Sequence, residues 1–210
     1  NFLLDMIPEG NEDFQSQNYL DFSKFKNLYK SSNLPDYVKS KYSAELVWFT
    51  ISTYVNGNSL SFQITSENYD DKMPKEGIYP FYNKLIADEK YWDKIKLIKY
   101  ITDNVFINKT YDVIFCDEAQ DFSKVELEFI INLSTYKQYD LSKVDQFPIV
   151  FAGDALQTVN PTGFRSAVLT SMIYKELTDI ETGYKLNSEN LVFTPTYNYR
   201  SSQSIVNIAN

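Results

Sequence analysis

Two apolar stretches of the sequence end in acidic residues, and this pattern constrains the fold more than any other feature. In "YDVIFCDEAQDF" the run Val113–Cys116 leads directly into Asp117 and Glu118, and in "FPIVFAGD" a second run ends at Asp154. A helical pattern separates the two runs. Strand, helix and strand with nearly continuous apolar strands predict an α/β fold with a parallel sheet covered by helices on both faces.

Local signals predict the helices of the second half of the sequence, from about residue 106 onwards. In "DFSKVELEFIINL", Ser123 and Glu126 have the S-x-x-E spacing of a capping box, which predicts a helix beginning there. "GFRSAVLTSMIYKEL" follows the second strand as a predicted helix. "NLVFTPTYNY" is a candidate third strand, and "SSQSIVNIAN" has the pattern of a helix that begins near the end of the sequence.

Residues 1 to 105 predict a mainly helical region. "SAELVWFTISTYVNG" has Ser43 as its N-cap and Gly57 at its C-terminal stop. "EKYWDKIKLIKYITDNVF" carries apolar residues at helical spacing, namely Trp92, Ile95, Ile98 and Ile101. The segment between these two, residues 58 to 77, has few long apolar runs and is expected to be a loop or a hairpin.

Composition narrows the class of protein. The 210 residues are 43% hydrophobic, enough for one sizeable core or two small ones, and 28 acids against 20 bases give a net charge of -8. A basic nucleic-acid-binding face is therefore not visible in the bulk composition. The absence of histidine excludes His-based catalysis and His-ligated metals. A single cysteine excludes an internal disulfide, and no apolar run is long enough to span a membrane, so we expect a cytoplasmic protein.

Acids at the end of a buried strand are suited to phosphate chemistry. Parallel sheets place their ligand sites at the carboxyl ends of strands, so Asp117, Glu118 and Asp154 should lie at one sheet edge. One acid, Asp117, can hold Mg²⁺ through water, while its neighbour Glu118 orients and deprotonates an attacking water. The alternative is structural, because acids often occupy the first turn of a helix.

Three segments in order resemble motifs of the UvrD/Rep-like superfamily 1 DNA helicases. "FCDEAQDFS" resembles motif II, the Walker B element; "IVFAGDALQTVNPTGF" resembles motif III; and "YNYRSSQSIVNIAN" resembles motif IV. The match covers roughly residues 109 to 210. It implies a RecA-like sheet flanked by helices, with ATP and Mg²⁺ as cofactors. It also implies a mainly helical insertion over 1–105, the second half of motor domain 1 over 106–195, and the start of motor domain 2 over 196–210.

The resemblance implies roles for the residues that contact nucleotide. Asp117 would hold Mg²⁺, and Glu118 would be the base that activates water. Asp154 and Gln157 would lie at the nucleotide, with Gln157 sensing the γ-phosphate and coupling it to the DNA track. Arg200 would reach the γ-phosphate from motor domain 2 as an arginine finger; the alternative for Arg200 is a surface salt bridge.

The resemblance also implies a contact with nucleic acid. Phe164 in "GFR" falls where the family usually has a tryptophan that stacks on a base, and Arg165 follows it. The alternative for Phe164 is a core aromatic, and "NPT" before "GF" departs from the usual spacing. Gln120 and Asp121 also match family positions, as bonds that link the strand end to the DNA-facing loop. Cys116 is interpreted as a small buried hydrophobe rather than a reactive thiol.

The motif that cradles phosphates is not found in these 210 residues. A Walker A loop needs G-x-x-x-x-G-K-[ST], and none of the six glycines begins one. Together with the missing start methionine, this predicts a piece of a longer helicase that couples Mg-ATP hydrolysis to movement on single-stranded DNA and is inactive alone. The expected partners are single-stranded DNA or a DNA duplex junction and the remaining segments of the helicase, and no membrane is expected. Two alternatives stay open. One is a non-catalytic helicase-like module that binds nucleic acid or protein. The other is a metal nuclease using Asp117, Glu118 and Asp154, although no E-x-K pattern supports it.

Overall fold

The computed structural model describes residues 2–57, 78–104, 107, 109–138, 147–154, 157, 166–178 and 193. These residues form an α/β structure that is mostly helical. The helices are α1 (Phe22–Ser31), α2 (Asp36–Lys41), α3 (Ala44–Thr50), α4 (Ile78–Ala87), α5 (Lys94–Asp103), α6 (Lys124–Asn132) and α7 (Ser166–Thr178). The strands are β1 (Ile114–Cys116) and β2 (Ile149–Phe151). Short 3₁₀ turns precede α1 and flank α6.

The two strands lie side by side and parallel, which confirms the prediction for this pair. Ile114 pairs with Ile149, and the register ends with Cys116 opposite Phe151. Both strands are shorter than the apolar runs that predicted them. Within the described ranges the sheet has only these two strands.

Among the described residues, helices cover one face of this sheet. Ile149 and Cys116 are buried against α6 and α7, in a cluster with residues such as Leu127. On the opposite face the side chain of Phe115 is 78% exposed, and its partner Val150 is also exposed. The described residues thus show helical cover on one face, and cover on the other face stays a prediction. An apolar run does not by itself reveal whether a partner lies on each side of it.

Side-chain caps begin several helices as the sequence predicts. The Ser43 hydroxyl accepts the Leu46 N–H at the start of α3. At the start of α6 the capping box is complete, because Ser123 accepts the Glu126 N–H while Glu126 accepts the Ser123 N–H over 2.7 Å. Each bond satisfies a backbone donor that a helix start leaves without an intrahelical partner.

The helix predicted from Trp92 onwards begins later. Asp93 is its N-cap and accepts the Lys96 N–H over 2.7 Å, so α5 begins at Lys94. Trp92 instead pairs its backbone with the segment before α1, since its carbonyl accepts the Leu20 N–H over 2.7 Å. The tryptophan is buried, as its apolar character predicts, but the cap places it outside the helix.

The described part of the first 105 residues contains helices and turns, in agreement with a mainly helical region. After α3 the helix widens into a π-helical turn, Ile51–Val55. The chain then reaches Gly57, whose carbonyl accepts the Val125 N–H over 3.0 Å. An added Cβ at Gly57 would overlap the Ser52 carbonyl oxygen and would meet the Ser123 Cβ at 3.0 Å. A glycine therefore lets the chain fold closely against the π-helical turn and against the start of α6.

Three apolar clusters hold the structure together. One lies within the helical region, around Phe25, Val47 and Tyr82. A second lies under the sheet, and a third joins α5 to α6 through residues such as Ile98 and Phe129. The third cluster spans the predicted boundary at residue 105, and the domain boundaries stay a prediction. Within the described ranges no helix combines the length and apolar character needed to cross a bilayer.

Several predictions lie outside the described residues. They are the loop or hairpin over 58–77, most of the third strand candidate, the helix after residue 200, and the positions Phe164, Arg165 and Arg200.

Candidate active site at the strand ends

The carboxyl ends of β1 and β2 carry the acids that the sequence singles out. The Ala152 N–H donates to the Cys116 carbonyl over 2.8 Å, and the Ala119 N–H donates to the Ala152 carbonyl over 2.8 Å. These bonds continue the parallel ladder beyond the strands themselves. They place Asp117 and Glu118 on one strand end beside the Gly153–Asp154 turn on the other.

Glu118 has a left-handed backbone conformation, with φ 51° and ψ 40°. A residue with a Cβ is disfavoured there by about 1–2 kcal/mol. The Asp117 Oδ1 accepts the Glu118 N–H over 2.9 Å, which helps to hold this turn. Non-glycine residues in this region cluster at functional sites, where the surrounding structure holds them in place. Nothing in the sequence signalled this conformation.

Gln120 joins the two strand ends with its side chain. Its Nε2 donates to the Glu118 Oε2 over 2.5 Å, and its Oε1 accepts the Asp154 N–H over 3.1 Å. The residue is only 2% exposed. Sequence reasoning predicted a linking bond from Gln120 to a DNA-facing loop; the observed partner in the next segment is the backbone of Asp154.

Because Gly153 has no side chain, the Gln120 amide can lie close to the backbone at this position. A Cβ built at this position would lie 2.7 Å from the Gln120 Oε1 and 3.3 Å from the Gln120 backbone nitrogen. Such distances are below ordinary van der Waals contact, so a larger residue would displace the Gln120 amide. The glycine of the "GD" pair is therefore explained by the side chain that lies against it.

The two acids after β1 retain oxygen atoms for a ligand. Both side chains are exposed, and among the described residues neither the Asp117 Oδ2 nor the Glu118 Oε1 has a protein hydrogen-bond partner. Carboxylate oxygens with accessible solvent fit Mg²⁺, which keeps several waters and takes one or two protein carboxylates. No group of three or more acids, cysteines or histidines in the described ranges is arranged to hold a metal ion.

Gln157 lies next to the same edge. Its backbone N–H donates to the Asp154 carbonyl over 3.0 Å, and its Nε2 donates to the Asp154 Oδ2 over 2.9 Å. The structure thus brings Asp117, Glu118, Asp154 and Gln157 to one edge through Gln120. Arg200, Phe164 and Arg165 lie outside the described residues, so their predicted roles stay predictions.

Cys116 is buried at the end of β1 and is a free thiol. Burial raises the pKa of the Cys116 thiol, and the nearby Asp117 charge raises this pKa further. A reactive cysteine needs the opposite environment, one that favours the thiolate. The interpretation of Cys116 as a small hydrophobe agrees with this geometry.

A cleft of about 400 Å³ lies beside Asp121, between the helical region and the start of α6. Aromatic side chains form part of its wall, among them Trp48 and Phe49. Its charged lining consists of Asp93, Lys94, Asp121 and Glu126, and Lys94 is ion-paired with Glu126. Acids outnumber bases here, so this cleft does not attract phosphate groups.

No family model, curated protein or solved structure matches this chain. The resemblance to the helicases therefore stays a prediction from the residues and motifs themselves.

Proposed function

We propose that this chain is part of an ATP-dependent DNA helicase of the UvrD/Rep-like kind, containing half of a RecA-like motor domain. The observation that supports this most is the parallel pair β1 and β2, whose ends are joined through Gln120. In this arrangement the acids of the motif II segment and the Asp154–Gln157 turn of the motif III segment share one edge. A ligand at that edge would contact residues from both segments.

In the proposed reaction Glu118 accepts a proton from a water, whose oxygen attacks the γ-phosphorus of ATP; the bond from that phosphorus to the β–γ bridging oxygen breaks, and ADP leaves as inorganic phosphate forms. The free Glu118 Oε1 is the atom available for this proton, because Gln120 occupies the other oxygen. Asp117 would hold Mg²⁺, directly or through water, and the ion when bound neutralises charge on the phosphates. Both residues are exposed to solvent, so water can reach their carboxylates.

Gln157 would contact the γ-phosphate and couple this contact to the DNA-binding surface. Asp154 holds the Gln157 side chain through the 2.9 Å hydrogen bond. Arg200 would stabilise charge on the γ-phosphate in the transition state. Phe164 and Arg165 would contact single-stranded DNA, by stacking and by charge respectively. With these assignments, this chain would couple ATP hydrolysis to movement on single-stranded DNA.

A non-catalytic helicase-like module is the second candidate. It is favoured by one observation, namely that none of the six glycines in the sequence begins a Walker A loop. Without such a loop no backbone cradle or lysine holds the phosphates. The two candidates differ in whether a phosphate-binding segment acts together with these residues.

The test is ATP hydrolysis with and without single-stranded DNA, in a protein that joins these residues to a Walker A segment. We expect DNA-stimulated turnover within the ordinary enzyme range of roughly 1–1000 per second. The 210-residue chain alone is the matched control and should show no such turnover. An Arg200→Ala variant should lose about 10³–10⁵ in rate if Arg200 is the arginine finger. Bound nucleotide or DNA without turnover, in protein with an intact Walker A loop, would favour the non-catalytic module.

A further inference from the structure

The side-chain amide of Gln120 has both ends engaged, each with a different strand end. Its donor meets the Glu118 carboxylate and its acceptor meets the Asp154 backbone N–H. Because a backbone N–H can only donate, the oxygen of the amide must face Asp154. The nitrogen then faces Glu118, whose carboxylate oxygen Oε2 accepts from it. The chemistry of the two partners therefore fixes the orientation of the amide.

The surroundings leave Gln120 little freedom to move. The side chain is buried, and the Cα of Gly153 lies against its oxygen so closely that a Cβ would overlap it. A displacement of the Glu118 side chain must therefore either break the bond to Gln120 or move the amide. Moving the amide disturbs its bond to Asp154, and Asp154 holds Gln157 through two further bonds.

We propose that Gln120 is a positioning residue that links the Glu118 side chain mechanically to the Asp154–Gln157 turn. This link holds the Glu118 carboxylate with Oε1 directed to solvent. It also makes the position of the turn depend on that carboxylate. The inference rests on the proposed function for its catalytic meaning, since Glu118 is there the general base and Gln157 the γ-phosphate sensor. The link itself is a property of the described residues and is testable without nucleotide.

The experiment is amide NMR on the 210-residue chain, with the Asp154 peak as the reporter. Glu118→Ala should shift the Asp154 peak in the wild-type background. In a Gln120→Met background, which keeps the length of the side chain and removes both bonds, the same Glu118→Ala change should leave the Asp154 peak where it was. The Ala152 amide, which donates to the Cys116 carbonyl, is the internal control and should stay unmoved throughout.

Hydrogen exchange gives a second reading of the same link. Gln120→Met should speed exchange of the Asp154 amide about two- to tenfold, the amount expected from losing one hydrogen bond. Gln120→Glu keeps an acceptor for this amide and should preserve its protection, while losing the donor to Glu118. It therefore also serves as the test variant if Gln120→Met does not fold: in the Gln120→Glu background, Glu118→Ala should again fail to move the Asp154 peak.

An equal Asp154 shift on Glu118→Ala with and without the Gln120 amide would overturn the link. Unchanged exchange of the Asp154 amide in Gln120→Met would overturn it as well. Neither result depends on ATP hydrolysis. A failure of the proposed function would appear as missing turnover, while the Asp154 shift on Glu118→Ala still depends on Gln120. A failure of the link would appear as an Asp154 shift that does not depend on Gln120, whatever the turnover.

Discussion

The backbone N–H of Asp154 donates to the side-chain oxygen of Gln120 over 3.1 Å, although 34 positions separate the two residues in sequence. Gln120 follows β1 and Asp154 follows β2. A buried polar side chain that bridges two strand ends is costly to leave unpaired, by about 1–3 kcal/mol for each group. The bond therefore stabilises the register of the strand ends as well as the site that they form.

Gly153→Ala should destabilise the fold by about 1–3 kcal/mol, because the added methyl overlaps the Gln120 amide. The variant Gln120→Ala removes that oxygen and loses its two bonds. In the double variant the methyl no longer meets the amide, so the cost should be smaller than the sum of the two single changes, by roughly 0.5–3 kcal/mol. Denaturant unfolding of the four proteins measures this. Simple additivity would show that the close approach of Gly153 and Gln120 carries no strain.

Replacing Glu118 by glycine and by alanine should give different stabilities. Both variants remove the carboxylate and its bond to Gln120, so they form a matched pair. Glycine adopts the left-handed conformation at φ 51° without a Cβ penalty, and Glu118→Gly should be more stable than Glu118→Ala by about 1 kcal/mol. Denaturation midpoints decide the comparison. An alanine variant as stable as the glycine variant would contradict the strained backbone.

Cys116 should make stability depend on pH in the alkaline range. The folded-state pKa of the thiol is raised above its usual 9.0 by burial and then by Asp117, so the folded protein keeps this proton to higher pH than the unfolded chain does. This contribution is fully present below pH 9.0 and is lost as pH rises through the folded pKa. Wild type should therefore lose stability relative to Cys116→Ala as pH rises above 9.0 through the alkaline range, measured by denaturation. A difference that stays constant over this range would show that the thiol pKa is not raised by folding.

Local signals in the sequence predicted the helix starts and the parallel strand pair well. Ser43 and the Ser123–Glu126 box are caps whose chemistry acts within a few residues, and the structure confirms them. The start of α5 was misplaced because the apolar spacing was followed back to Trp92, past the local N-cap at Asp93. The pairing of Trp92 with a segment more than 70 positions away is a contact that no local pattern encodes.

The acids of the candidate site were visible in the sequence, but the bonds that organise them were not. The Gln120 bridge depends on how β2 is aligned beside β1, which becomes apparent only after folding. The same holds for the left-handed turn at Glu118 and for the contact that requires Gly153. Residue types therefore indicated phosphate chemistry, while the positions of the atoms came from tertiary contacts.

The most direct test of the account is the ATP turnover of Glu118→Gln, in protein that joins these residues to a Walker A loop. Glutamine keeps the size of the side chain and an oxygen that accepts from Gln120, but it cannot take a proton. With ATP and single-stranded DNA saturating, turnover should fall about 10²–10⁴-fold, the contribution of a general base, while ATP affinity stays near the wild-type value. Turnover within about tenfold of wild type at saturating ATP would contradict the assignment of this strand end as the catalytic centre.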